Sequence, residues 1–206
     1  MLKRQEPEVR RRHIAEAVLA IAARDGLDAA SVREVAAEAG VSAGMVQHHF
    51  RTRDDMLLFT CEYMIGRTGA RIADRIALVP EPRPVRAILR SIFEEMLPMD
   101  EERRTGIRVW MAFLARAVVR DDLEAFMRET HVTTHQNIAG LLRRAQAQDE
   151  ITRDIDPDRE TIALFALVDG LVSHVLLEHY TGEAALRAID DQLDRLFRGL
   201  IVTPGR

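Results

Sequence analysis

Within the stretch SVREVAAEAGVSAGMVQHHF, residues 31–50, the chain carries two helix-start signals and one helix stop. Ser31 with Glu34 three residues later has capping-box form: a hydroxyl for the third amide and a carboxylate that reaches back. Gly40 fits a left-handed C-terminal cap, and Ser42 can cap a new helix immediately afterwards. The segment therefore predicts two short helices, about 31–39 and 42–50, joined by a tight turn.

The flanking sequence is helical as well. Pro7 suits a first turn, and Val9, Ile14, Ala17, Val18 and Ile21 follow at roughly helical spacing until Asp25-Gly26. Thr52-Arg-Asp-Asp55 resembles another capping box and opens a long helix toward Val79, about 40 Å at 1.5 Å per residue. The PEPRP segment at 80–84 breaks it. Further helical patterns cover 85–97, 101–119, 122–148, 157–180 and 183–201. Ala, Leu, Arg and Glu dominate and only 5% of residues are aromatic, so the reading is all-α with about nine helices. A length of 206 residues at 47% hydrophobic content suffices for a helix-turn-helix head (1–53) and a helical-bundle body (54–206).

Several classes are disfavoured. Cys61 is the only cysteine, which rules out an intramolecular disulfide or a CxxC motif and fits a reducing compartment. The N-terminal MLKRQEPEVRRRH has no apolar signal stretch. The apolar run at 161–177 is 17 residues long with Asp169, Ser173 and His174 inside it, too short and polar for a span. A cytoplasmic location without membrane contact is expected. No GxSxG, P-loop, HExxH or dinucleotide fingerprint occurs, and Cys61 has Glu62 beside it and neither His nor a basic residue one turn away. No enzyme, cofactor or metal is expected. Residues 1–53 hold nine Lys and Arg against seven Asp and Glu, a net of +2, which leaves −6 of the total −4 on the remainder.

The helix over 42–50 is the informative element. If Val46 and Phe50 point inward with Val41, then at 100° per residue Gly44, Gln47 and His48 point outward and Met45 and His49 lie on the flanks. Such a face suits a DNA major groove. Gly44 lets the backbone approach, Gln47 can present a bidentate amide to adenine, and the helix N-terminus offers amides to a phosphate. Arg33 could reach a guanine, and Arg53 could grip the flanking backbone. His48 and His49 diverge by about 100°, which disfavours a shared metal ion. A solvated polar surface, in a helical interaction module or an enzyme without DNA binding, is the competing reading.

The run from Arg10 to Leu58, with REVAAEAGVSAGMVQHHFRTRDDML at its centre, resembles the DNA-binding head of the TetR family of one-component bacterial transcription regulators. More loosely, RVWMAFLARAV (108–118) and ALVDGLVSHVLLEHY (166–180) are similar to the BetI-type ligand-binding body. The resemblance implies a ligand-responsive regulator, in the first instance a repressor, on a palindromic double-stranded operator. It places Ser42, Ala43, Gly44, Met45, Gln47, His48 and His49 in the groove, Arg33 on a base or phosphate, and His49 and Arg53 on the backbone. Members often carry tyrosine where Gln47 stands, so base readout departs from the usual pattern.

The body is expected to pair two heads and to bind a small-molecule effector. Leu186, Ile189, Leu193, Leu196 and Leu200 form a three-four spaced seam, so a homodimer through residues 157–201 is expected. Met64, Trp110, Phe113, Phe126 and Phe165 are candidate effector residues, although such stripes are more often core. Asp169, a carboxylate in an apolar helix, calls for a cationic ligand, a basic side chain or a capped turn. His131 and His135, four apart, are expected at the surface or a pocket rim.

Overall fold

The computed structural model describes residues 5–197. Nine α-helices and no strand occur among them: α1 (Gln5–Asp25), α2 (Val32–Glu38), α3 (Ala43–His49), α4 (Arg53–Ala77), α5 (Val85–Glu95), α6 (Glu101–Ala117), α7 (Asp121–Ala147), α8 (Pro157–Leu176) and α9 (Gly182–Phe197). A single 3-10 turn, Leu27–Ala29, precedes α2 and was not legible in the helical periodicity. No described helix is long and apolar enough to cross a membrane.

The expected caps are present. The Glu34 amide donates to Ser31 Oγ at 3.2 Å, the Met45 amide to Ser42 Oγ at 3.1 Å and the Asp55 amide to Thr52 Oγ1 at 3.0 Å. Gly40 takes φ of 64°, and the Val41 amide returns to the Ala36 carbonyl at 2.9 Å. Left-handed backbone is unfavourable for a residue with Cβ, so glycine fits this stop.

Two compact units emerge, one of residues up to Gly69 with Thr105–Ala125, the other of Ala70–Arg104 with Phe126 onward. The head expected over 1–53 lies within the first unit. That unit buries Ile14, Val18, Ile21, Val35, Val46 and Phe50 with Met56, Leu57 and Cys61 of α4. Val109, Phe113 and Ala117 of α6 are buried as well, so the unit is larger than three helices. Burial pushes the Cys61 thiol up to about 12, an inert side chain.

The second unit is centred on Leu89, Phe93, Leu97, Leu142, Leu164 and Val168. The seam expected to pair two chains belongs to this core: Ile189, Leu193 and Leu196 are buried in the same cluster, and Leu186 packs on it partly buried. Leu200 lies outside the described residues. Helical spacing shows that α9 has an apolar face but not whose surface it meets, and here it meets α5 and α8 of its own chain. Ion pairs flank this contact, with Arg86 Nε donating to Asp194 at 2.8 Å and Arg90 Nε to Asp190 at 2.9 Å. The buried carboxylate of Glu95 is met by Arg71 Nε at 2.5 Å, as a buried charge requires.

Leu193 is fully buried, so Leu193→Ala should lower the unfolding free energy by about 2–5 kcal/mol in urea titration. Leu193→Glu should unfold the second unit and not produce folded monomers.

Candidate nucleic-acid interface

The head is assembled around α1. His13 Nε2 donates to the Ala39 carbonyl at 2.9 Å and so pins the end of α2. Arg11 is wedged between two rings, its guanidinium carbon 4.8 Å from the Phe50 centroid and 4.1 Å from that of Phe59. This cation–π wedge joins α1 to the residue closing α3 and to α4.

With Val46 and Phe50 buried, α3 presents Ser42, Ala43, Gly44, Met45, Gln47 and His48 to solvent, and His49 is half-buried. Arg33 is exposed in the first turn of α2. All of these expected residues are solvent-exposed except the flanking His49. Partial burial lowers the His49 pKa below the ordinary imidazole value, helped by His48, Arg11 and Arg10, which favours its neutral form. The His48 and His49 rings meet edge-on, 5.2 Å apart at 78°.

Gly44 is informative in a different way. It has ordinary helical backbone, and a Cβ placed there would meet nothing nearer than Ser42 Oγ at 3.9 Å. Glycine in a helix is destabilising by roughly 0.5–1 kcal/mol relative to alanine. The protein's own packing does not require it.

Arg53 is turned toward the protein. Its Nε donates to the Ala30 carbonyl at 2.9 Å, and its Nη2 donates to Leu27 at 2.8 Å and Asp28 at 3.2 Å. The geometry supports a bracing role, between α4 and the α1–α2 connection, for a side chain expected on a phosphate. Beside it, Asp54 accepts from Arg116 at 3.0 Å and from Arg120, so the end of α6 grips the first turn of α4. Sequence reading missed this pair, because residues 62 and 66 positions apart carry no mutual signal.

The expected effector residues are distributed over both units, with Met64, Trp110 and Phe113 in the first and Phe126, Phe165 and Asp169 in the second. Phe113 and Phe165 are buried core residues, whereas Met64, Trp110 and Phe126 are half-buried. Phe165 stacks on His135 at 4.4 Å and meets Phe93 edge-on at 6.1 Å. Asp169 lies on the exposed side of α8; its pKa is raised by partial burial, against the pull of His131 and His135.

Comparison with known proteins identifies this arrangement. Residues 14–58 match the family model of tetR-family bacterial regulatory proteins, and residues 84–198 match that of the C-terminal region of BetI-type transcriptional repressors. The chain belongs to the TetR family. The transcriptional regulator PksA of Bacillus subtilis is 32% identical over 180 residues, covering 86% of this chain and 84% of that one. BetI of Pectobacterium atrosepticum is 28% identical over 192 residues, covering 91% and 93%. A transcriptional regulator from Rhodococcus superposes with a TM-score of 0.79 at 31% identity, over 94% of this chain and 99% of that one.

The TetR-family chain is thus a transcriptional regulator and not an enzyme. Its helix-turn-helix is the DNA-binding element of that family, and the brace from Arg53 ties the first turn of α4 to the 3-10 turn that leads into the element's first helix. Replacing Arg53 by Ala removes charge-assisted bonds to three carbonyls. The head should lose about 1.5–3 kcal/mol in urea unfolding, with only a weak dependence on salt, because the close acceptors are uncharged carbonyls and the Asp28 carboxylate stands 4.0 Å away.

Proposed function

We propose that the regulator acts in the cytoplasm as a dimeric repressor, reading a palindromic operator through α3 and released by a small-molecule effector held in its body. The observation that carries the DNA reading is the outward face of α3, above all Gly44, whose missing side chain answers no need inside the protein. A helix laid in the major groove would need that space. Gln47 stands one turn further along the exposed face, placed to offer its amide to an adenine edge. Arg33 supplies a charge for a base or a phosphate at the start of α2. His49, on the flank, serves the backbone, and Arg53 braces the start of α4 against the connection that leads into α2.

Dimerisation is proposed on the outer face of α8, within the region expected from sequence. Ile162, Ala163, Ala166, Gly170 and Leu177 are exposed there at helical spacing, Ile162 at 60% and Leu177 at 68%. Small residues between two large apolar ones allow close approach of a second copy about a two-fold axis. A related regulator from Saccharomonospora viridis was crystallised with choline, at 24% identity and a TM-score of 0.79. For this chain the effector is proposed only as a small molecule. Asp169 is the group to test for a cationic one, with Met64, Trp110 and Phe126 as apolar candidates.

Two variants on α3 separate stability from recognition. Gly44→Ala should raise head stability by roughly 0.5–1 kcal/mol and still weaken operator binding. Gln47→Ala should cost about 1–3 kcal/mol at one base pair per half-site and leave other positions unchanged. Fluorescence anisotropy against a panel of single-base operator variants, run beside urea unfolding, reads both. Uniform loss at all sequences would remove Gln47 from base readout.

The dimer face is tested by Ile162→Glu with Ala166→Glu, which places charge on exposed positions and spares the core. Sedimentation should show folded monomers that bind one half-site weakly. A dimer that survives these changes would place the interface elsewhere.

A further inference from the structure

The regulator's α8 ends in a turn that DNA binding does not use. Sequence periodicity predicts helix to residue 180, yet α8 stops at Leu176, and Glu178 takes φ of 60°. The Glu178 amide donates to the Val175 carbonyl at 3.1 Å and the His179 amide to the His174 carbonyl at 2.9 Å. This is a Schellman ending, in which the residues spanned by the longer bond touch, usually as an apolar pair. Here they are His174 and His179, and their Nδ1 atoms converge to 3.2 Å.

We propose that His174 and His179 form a two-imidazole site for a divalent transition-metal ion, zinc, nickel or copper(II), whose remaining positions are filled by water. Two nitrogens bound at about 2.0–2.1 Å lie about 3.3 Å apart across a tetrahedral angle and about 2.9 Å apart across a right angle. The observed separation falls between these values. Imidazole is a suitable ligand for these ions, and harder magnesium and calcium prefer oxygen. In the free protein one Nδ1 carries the proton that bridges the pair. On binding, that ring moves its proton to Nε2 and both Nδ1 lone pairs turn to the ion.

The site is built before any ion arrives. Arg104 holds the end of α8, donating from Nη1 to the Leu176 carbonyl at 3.2 Å and from Nη2 to Val175 at 3.4 Å. Gly182 packs so closely that a Cβ would lie 2.8 Å from Met99 Sδ. The Tyr180 ring sits 5.2 Å from that of His174. Both histidines are exposed, so an ion can reach them. His179 also lines a cavity of about 430 Å³ in which the carboxylates of Asp100, Glu101 and Glu178 stand with the guanidinium of Arg104.

In the other pairs the His48 and His49 rings meet edge-on at 78°, and the His135 ring is stacked on Phe165. Among the described residues no group of three or more His, Cys, Asp or Glu is placed to hold a metal, so this site has two protein ligands and exchanges its ion readily.

The experiment uses the full chain without a histidine tag, titrated calorimetrically with zinc and nickel, and with magnesium as control. One zinc or nickel ion per chain is expected, with no response to magnesium. His174→Ala and His179→Asn should each abolish uptake with helical circular dichroism unchanged; asparagine keeps a hydrogen-bonding group on the turn but is a poor ligand. His131→Ala with His135→Ala should bind as wild type. With copper(II), two nitrogen couplings in the electron paramagnetic resonance spectrum should fall to one in each single variant. Absence of uptake by the wild type, uptake retained in folded His179→Asn, or loss confined to the His131/His135 variant would overturn the proposal.

Discussion

The burial of Val46 and Phe50 is the contact on which the recognition surface depends. A helix of seven residues, as α3 is, is too short to hold its own shape or orientation in water, so its rotation is set by what it buries. Val46 is 0% and Phe50 3% exposed, and Arg11 lies over the Phe50 ring. Turning α3 by one residue would bring Gln47 inward and expose Val46, at a cost of a buried amide without its water and an apolar side chain returned to it. The outward placement of Gly44, Gln47 and His48 follows from that penalty.

The start of α4 divides its work between two neighbouring side chains. Arg53 is spent on the carbonyls of the 3-10 turn, and Asp54 is held by Arg116 and Arg120 at the end of α6. Exposed ion pairs are individually worth little, about 0–1 kcal/mol. Two guanidiniums on one carboxylate at a helix N-terminus, with buried Phe113 and Ala117 on the same helix, form a joint contact. The DNA-binding unit thereby includes the second half of α6, a long way along the chain. A displacement of that half-helix would reach the first turn of α4 through a single side chain.

What could be read from sequence was local. The caps at Ser31, Ser42 and Thr52 and the stop at Gly40 depend on residues within five positions of each other, and the outward face of α3 follows from helical period once Val46 and Phe50 are taken to point inward. The ending of α8 was not legible, because Glu178 occupies the left-handed position where glycine would have announced it. Asp149, with φ of 53°, closes α7 in the same unannounced way. The α9 seam was seen but assigned to a partner chain, since periodicity marks an apolar face and not the surface that covers it. Arg53 looked like a phosphate ligand because its position was read without the carbonyls of Leu27, Asp28 and Ala30, which the 3-10 turn brings beside it.

The composition of α8 connects the misassigned seam to the proposed dimer face. Its inner side, with Leu164, Phe165, Val168 and Val175, is already covered by the core of its own unit. A helix needs only one such face to fold onto a domain, and the opposite side is ordinarily charged. Here that side carries Ile162, Ala163, Ala166 and Gly170 with one carboxylate, Asp169, whereas the exposed side of α9 carries Glu183, Arg187, Asp191 and Arg195. A pairing surface placed on α8 buries apolar area with few charges to desolvate, and one placed on the outer side of α9 would have to bury four charges. The same apolar excess that made 157–201 look like the pairing region is the ground for proposing α8 within it.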